Sequence, residues 1–350
     1  IVAGDDAAPA AAELLALAER LGAAVWCEGI RARQVVPSRH PNFRLSLPFD
    51  AVAIRRALDE ADVVLLVGGP FFEEVWYAPG SPLPPGAAAI HVETSPERLA
   101  HNLPVTVGLV SEPRAALAAL RSAVEREAGD AFRAAAAARN EVLRALKAQD
   151  AQAQRARAAK RWDSAPISMP RLMAEVESAL PDDAIVVDEA ITAGPDLART
   201  IQFERAGDYV GARGGGIGQA LPGAIGIKLA RPDRPVVALS GDGSAMYSIQ
   251  ALWTAAHHDL AIAFVILNNR EYRILKHHMD TYRQRFGAKP DRGYPNMDLV
   301  SPDLGFVDIA RGLGVEGMRV GHPAELRPAL GRALGAGRPF LLDVAIEGRP

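Results

Sequence analysis

Short apolar runs of strand length recur along the chain, and a segment with helical spacing separates almost every consecutive pair. Strands joined through a helix pair in parallel, because a parallel neighbour needs a crossover of a dozen or more residues. The pattern predicts an α/β fold: two domains with mainly parallel central sheets flanked by helices. Residues 1–3 read as the end of a buried strand, 10–21 as a helix and 24–26 as a short strand. A helix over 52–58 leads to a strand over 63–67 that stops at Gly68-Gly69-Pro70, and a strand over 88–92 and a helix over 113–127 follow. The rhythm resumes with a helix over 171–180, a strand over 184–187, a helix containing 225–230 and a strand over 236–240. A helix over 248–257, a strand over 262–267, a helix over 307–313 and a strand over 340–346 complete it.

Between the two rhythms, from about 128 to 162, Ala, Arg and Gln dominate and no apolar stripe persists. Basic residues outnumber acidic ones more than two to one between Arg126 and Arg161. Aromatic residues do not alternate with these charges as a nucleic-acid-binding arm would need. The stretch reads as a solvated, partly helical connector. The expected division is a first domain over 1–125, a charged linker over 126–164 and a second domain over 165–350.

The chain's 350 residues suit two such domains. With 49% hydrophobic and 23% charged residues and a net charge of −3, there is no basic excess that would imply nucleic acid. Cys27 is the sole cysteine, which excludes an intrachain disulfide, argues against a zinc cluster and fits a reducing cytoplasm. The longest apolar run, 260–267, is far too short to cross a bilayer, so no membrane partner is expected. The start Ile1-Val2-Ala3-Gly4 has neither an initiating Met nor a signal-peptide pattern, and it reads as a point inside a longer protein.

The chemistry concentrates in one unit. Val236-Val237-Ala238-Leu239-Ser240 runs into Gly241-Asp242-Gly243-Ser244, and a later strand ends on Asn268-Asn269. If the two strands are adjacent and parallel, Asp242 and Asn269 reach one crevice at the carboxyl ends of the strands, where open α/β sheets bind ligands. A carboxylate and an amide oxygen are hard ligands suited to Mg²⁺, which keeps positions open for phosphate oxygens. Gly241 and Gly243 clear side chains from the approach of a phosphate, and a helix opening near Ser244 would present N–H groups to it.

The whole unit from Gly241 to Asn269 resembles the motif of thiamine-diphosphate-dependent enzymes, which begins Gly-Asp-Gly and ends in paired asparagines. Within that family, Gly241 to Ala256 and Gly215-Gly216-Ile217-Gly218-Gln219-Ala220-Leu221-Pro222 are similar to the benzoylformate decarboxylases. Weaker similarity extends over nearly the whole chain, which would then comprise a Rossmann-like middle domain and a diphosphate-binding C-terminal domain. The resemblance implies thiamine diphosphate and Mg²⁺ as cofactors, with Asp242, Asn269 and the Glu271 carbonyl on the metal. Gly241, Gly243, Ser244, Ile191 and Thr192 would meet the diphosphate. Gly215, Ile217 and Tyr272 would also line the cofactor, with Ile217 holding its two rings in a bent form. The implied reaction is non-oxidative decarboxylation of a small 2-keto acid by a cytoplasmic homodimer or homotetramer, the cofactor acting as electron sink while CO₂ leaves.

The sequence departs from this pattern in three places. The family's activating glutamate belongs to an N-terminal pyrimidine-binding domain outside this chain, so these residues alone are expected to be inactive. Val75 stands where benzoylformate decarboxylases carry a proton-transferring histidine. His278 falls where aromatic-substrate members place a phenyl ring, and it is the candidate substitute acid or base; an exposed histidine at a helix end is the plainer reading. An acetolactate synthase-like carboligase shares the cofactor and remains an alternative, although no flavin motif stands out in 1–125. A binding or assembly module is the non-catalytic alternative. A nicotinamide dehydrogenase does not fit, because Gly214-Gly215-Gly216-Ile217-Gly218 lacks the Gly-x-Gly-x-x-Gly spacing.

Overall fold

The computed structural model describes residues 1–73, 78–101, 103–289 and 293–348. Val75 and its neighbours from 74 to 77 lie outside them. The chain divides into two compact units, Ile1–Ala153 with Gln202–Tyr209, and Gln154–Ile201 with Val210–Pro350.

The first unit runs β1 (Val2–Ala3), α1 (Ala11–Leu21), β2 (Val25–Cys27), β3 (Phe43–Ser46), α2 (Ala51–Ala57), β4 (Val63–Val67), β5 (Ala88–Glu93), β6 (Val107–Val110) and α3 (Pro113–Glu127). Its six strands form a parallel sheet in the order β3-β2-β1-β4-β5-β6. Alternate strand residues face opposite ways, so the sheet has two cores. Leu14, Leu17, Val25, Val67 and Leu117 fill one, and Val2, Ile54, Leu66 and Phe71 fill the other. Asp50 caps α2 by accepting the Ala53 N–H at 2.9 Å, and Glu112 caps α3 from Ala115 at 3.1 Å.

The stretch read as a partly helical connector is one continuous helix of 31 residues, α4 (Asp130–Lys160). Its least exposed positions are Ala136, Asn140, Leu143, Lys147, Gln154 and Ala158. They follow helical spacing, but three of the six are polar. Asn140 donates to the Glu19 carbonyl at 2.8 Å and accepts from Asn42 at 2.9 Å, and Lys147 donates to the Phe43 carbonyl at 3.3 Å. Alanine-rich sequence supplies intrinsic helicity, and these polar contacts replace the apolar stripe that the sequence lacks.

The second unit runs α5 (Met169–Ala179), β7 (Ile185–Glu189), α6 (Gly194–Thr200), β8 (Tyr209–Gly211), α7 (Ala220–Ala230), β9 (Val236–Gly241), α8 (Asp242–Ala245), α9 (Ala251–His257), β10 (Ile262–Asn268), α10 (Arg273–Phe286), α11 (Phe306–Gly312), β11 (Glu316–Val320), α12 (Leu326–Leu334) and β12 (Phe340–Ala345). Its sheet is again six-stranded, in the order β11-β12-β10-β9-β7-β8. The β9 and β10 runs are almost wholly apolar because helices cover both faces of the sheet. Every residue of β10 is buried. Val187, Ala224, Ala238, Leu252, Phe264 and Phe306 share one core.

The chain passes from β7 to β8 on one side and then returns to β9 on the other. The boundary between β7 and β9 is therefore the switch point at which such sheets open a crevice beyond their carboxyl ends. Among the described residues, no helix is long and apolar enough to cross a membrane.

Candidate active site

Strands β9 and β10 are parallel neighbours, with Leu267 opposite Gly241, so Asp242 and the two asparagines emerge together. Asp242 is only 3% exposed. Its carboxylate accepts the Gly243 N–H at 2.8 Å and the Arg270 N–H at 2.7 Å. Among the described residues it has no ion-pair partner. Burial, above all, pushes its pKa up to about 6 against the pull of those backbone donors.

The paired asparagines divide their work. Asn268 turns into the sheet, donating to Asp343 at 2.8 Å and accepting from the Arg270 N–H at 3.2 Å. Asn269 is half-buried, and its side-chain oxygen accepts the Glu271 N–H at 3.0 Å. A carbonyl oxygen has two lone pairs, so that contact leaves Asn269 a further acceptor site. Arg270, between the asparagines and Glu271, adopts the left-handed region at φ 61°. Its side chain pairs with Asp303 at 2.8 Å.

The helix after β9 differs from the sequence expectation. It begins with the single turn α8 at Asp242, breaks, and restarts as α9 at Ala251, rather than opening near Ser244. Gly243 is buried against Tyr272: a Cβ there would lie 2.6 Å from the ring. Glycine is thus required for Tyr272 to reach the loop.

Ile191 and Thr192 follow β7, the strand beside β9, after which come Gly243 and Ser244. Ile191 is 45% exposed, whereas Thr192 is half-buried. Gly215, at φ 71°, and the half-buried Ile217 lie in the glycine loop that enters α7. That loop is anchored by Glu189, a residue the sequence reading did not single out. Glu189 is 3% exposed at the end of β7, and its two carboxylate oxygens accept the Gln219 and Ala220 N–H groups, each at 3.0 Å. The carboxylate caps α7. No local signal marks this role, because its partners lie far along the chain.

His278 sits within α10 rather than at a helix end. It is half-buried, and burial followed by the neighbouring His277 charge lowers its pKa. His257 and His258 are exposed at the end of α9, where His257 stacks on Trp253 with centroids 4.9 Å apart.

The side-chain donors here are therefore a buried carboxylate with no ion-pair partner among the described residues and a side-chain amide oxygen. Such an all-oxygen set fits a hard divalent cation. The chain belongs to the thiamine pyrophosphate enzymes. Residues 193–344 match "Thiamine pyrophosphate enzyme, C-terminal TPP binding domain", and residues 1–120 match "Thiamine pyrophosphate enzyme, central domain". The chain is 34% identical over 349 residues to a benzoylformate decarboxylase of Pseudomonas aeruginosa, covering 99% of this chain and 61% of that protein. It is 31% identical over 339 residues to the acetolactate synthase large subunit IlvG of Mycobacterium tuberculosis, covering 97% of this chain and 57% of the relative. The solved 4-hydroxybenzoylformate decarboxylase of Rhodococcus jostii RHA1 superposes with a TM-score of 0.80 at 30% identity, covering 99% of this chain and 61% of that one. The chain thus spans about three fifths of the length of these relatives.

Proposed function

We propose that the full-length protein is a thiamine-diphosphate- and Mg²⁺-dependent decarboxylase of a small 2-keto acid. The observation that carries this reading is the buried Asp242 carboxylate, held by two backbone N–H groups at a strand end and lacking a cationic side-chain partner among the described residues. An uncompensated buried carboxylate is costly, and a divalent cation bridging to a diphosphate would supply the missing charge. Asp242, the Asn269 side-chain oxygen and the Glu271 carbonyl would hold the metal. Ile191, Thr192, Gly241, Gly243 and Ser244 would border the diphosphate, and Tyr272 would close over Gly243. Ile217, in the loop anchored by Glu189, would support the cofactor's rings beside Gly215. When bound, the cofactor supplies a carbon nucleophile and an electron sink for CO₂ loss.

His278 is proposed to cover the substrate and move a proton. Its His278→Phe variant should favour aryl 2-keto acids, read as the ratio of kcat/KM for benzoylformate to that for pyruvate. An unaltered ratio removes His278 from the pocket.

The similarity to an acetolactate synthase subunit supports carboligation as the second reading. Cofactor-dependent CO₂ release without a coupled product supports the decarboxylase, and acetolactate formed from pyruvate supports the carboligase. Cofactor binding with neither product supports a binding or assembly role. The relatives' greater length supports a further proposal: the activating acid lies beyond these two domains, in a pyrimidine-binding domain of a cytoplasmic homodimer or homotetramer. The 350-residue chain alone would then release no CO₂ above the free-cofactor rate.

A further inference from the structure

The loop that follows β10 is locked from the far side by a second segment. The Tyr272 N–H donates to the Met297 carbonyl at 2.8 Å and the Leu299 N–H to the Arg270 carbonyl at 2.8 Å. Glu271 and Asp298 face each other across this antiparallel bridge. Two acidic side chains directly opposite in a bridge repel one another; Glu271 is only 8% exposed, while the Asp298 side chain is 58% exposed to solvent.

Lys276, one turn into α10 and equally buried at 8% exposure, places its ammonium between them and bonds both carboxylates. Burial alone would depress its pKa, but the bonds to Asp298 and Glu271 outweigh burial and raise it. The segment is pinned again through Tyr294. Its hydroxyl bonds Asp280, and its ring lies under the Arg283 guanidinium at 4.8 Å. The bridge fixes two groups that matter at the site: the Arg270 N–H aimed at Asp242, and the Glu271 main chain.

We propose that Lys276 is a positioning residue. By neutralising the facing Glu271 and Asp298 carboxylates, it holds the Arg270–Tyr272 loop in the geometry that receives Mg²⁺ and the diphosphate. This rests on the cofactor reading above, and it assigns that role to the charge of Lys276 rather than to its bulk.

Four forms of the full-length protein test it: wild type, Lys276→Met, Asp298→Asn and the double variant Lys276→Met/Asp298→Asn. Each is titrated calorimetrically with thiamine diphosphate and Mg²⁺. Without ligand, amide hydrogen exchange is followed at Arg270, Tyr272 and Leu299. Lys276→Met should lose at least tenfold in affinity and exchange faster at the Tyr272 and Leu299 amides. Asp298→Asn, which leaves a Lys276–Glu271 pair, should stay within about threefold of wild type. The double variant should recover most of the loss, because one carboxylate facing an amide can be hydrogen-bonded without a cation. A double variant as weak as Lys276→Met, or a Lys276→Met protein with wild-type affinity and exchange, overturns the proposal. A wild type that binds no thiamine diphosphate instead overturns the cofactor reading, and the ligand-free exchange then decides the role of Lys276 independently.

Discussion

The two units share an architecture and differ in what they do with it. Both have a six-stranded parallel sheet with a switch point, but the strand ends at the two points carry different groups. In the first unit, the ends of β1 and β4 are zipped together. The Gly4 N–H donates to the Val67 carbonyl at 2.9 Å and the Asp6 N–H to the Gly68 carbonyl at 3.2 Å, while a Cβ on Gly4 would lie 2.1 Å from the Gly68 oxygen. Its strand-end acids tie down their own loops. Asp5 accepts the Ala32 N–H at 2.9 Å, and Glu28 accepts the Phe72 N–H at 3.1 Å. In the second unit, Ile191 and Thr192 follow β7 and Gly243 and Ser244 follow the neighbouring β9, and the buried acid Asp242 has backbone donors but no ion-pair partner among the described residues. A crevice closed by backbone is structural, whereas the second unit's crevice is the one proposed to take a cation at Asp242. Function follows from the strand ends, not from the sheet.

Equivalent substitutions at the two crevices should therefore fail in different ways. Gly4→Ala forces a methyl group onto backbone that has nowhere to move, and it should cost about 3 kcal/mol of stability or more. Gly243→Ala meets only the movable Tyr272 ring, so it should cost about 1 kcal/mol while weakening thiamine diphosphate binding at least tenfold. Chemical denaturation and calorimetric titration of both variants check this, and comparable stability losses would erase the contrast.

Asp5→Ala strips the acceptor from the Ala32 and Arg33 N–H groups. It should destabilise the protein by about 1–3 kcal/mol with cofactor affinity unchanged. A large drop in affinity would mean that the first crevice is not merely structural.

The smallest effect concerns pH. Burial first, then the Arg44 charge, lowers Lys147 from 10.5 to about 8, with Asp150 and Glu204 opposing. Between about pH 8 and 10.5 the unfolded chain keeps a proton that the folded chain has released. The Lys147 contribution to stability therefore rises with pH across that window. Lys147→Met should flatten the alkaline limb of the stability profile and leave cofactor binding alone; an unchanged limb contradicts the assignment.

What the sequence disclosed and what it hid have a common physical cause. All eight strands that the apolar runs marked are interior to the two sheets, where helices cover both faces. The four left unmarked are β3, β6, β8 and β11, and these are the sheet edges. An edge strand is short and half exposed, as β6 is, so no apolar run announces it. Helix α4 was read as only partly helical for a related reason. The contact face of α4 includes Asn140, Lys147 and Gln154, so it has no apolar period, whereas α10 carries one, Leu275, Met279, Tyr282 and Phe286, of which all but Met279 are exposed. The site's central pair was legible because Asp242 and the asparagines end two such interior strands. Glu189 and Asp298 were not, because their partners come from distant segments and carry no local spacing.

Asp242 is proposed to take a divalent cation beside the diphosphate of the cofactor. The most direct test is calorimetric titration of the full-length protein with thiamine diphosphate, with and without Mg²⁺, for wild type and Asp242→Ala. Wild type should bind only when Mg²⁺ is present. The variant should keep its fold yet lose well over one tenfold step in affinity, each step being about 1.4 kcal/mol. Equal, Mg²⁺-independent affinity in both proteins would remove Asp242 from the metal site.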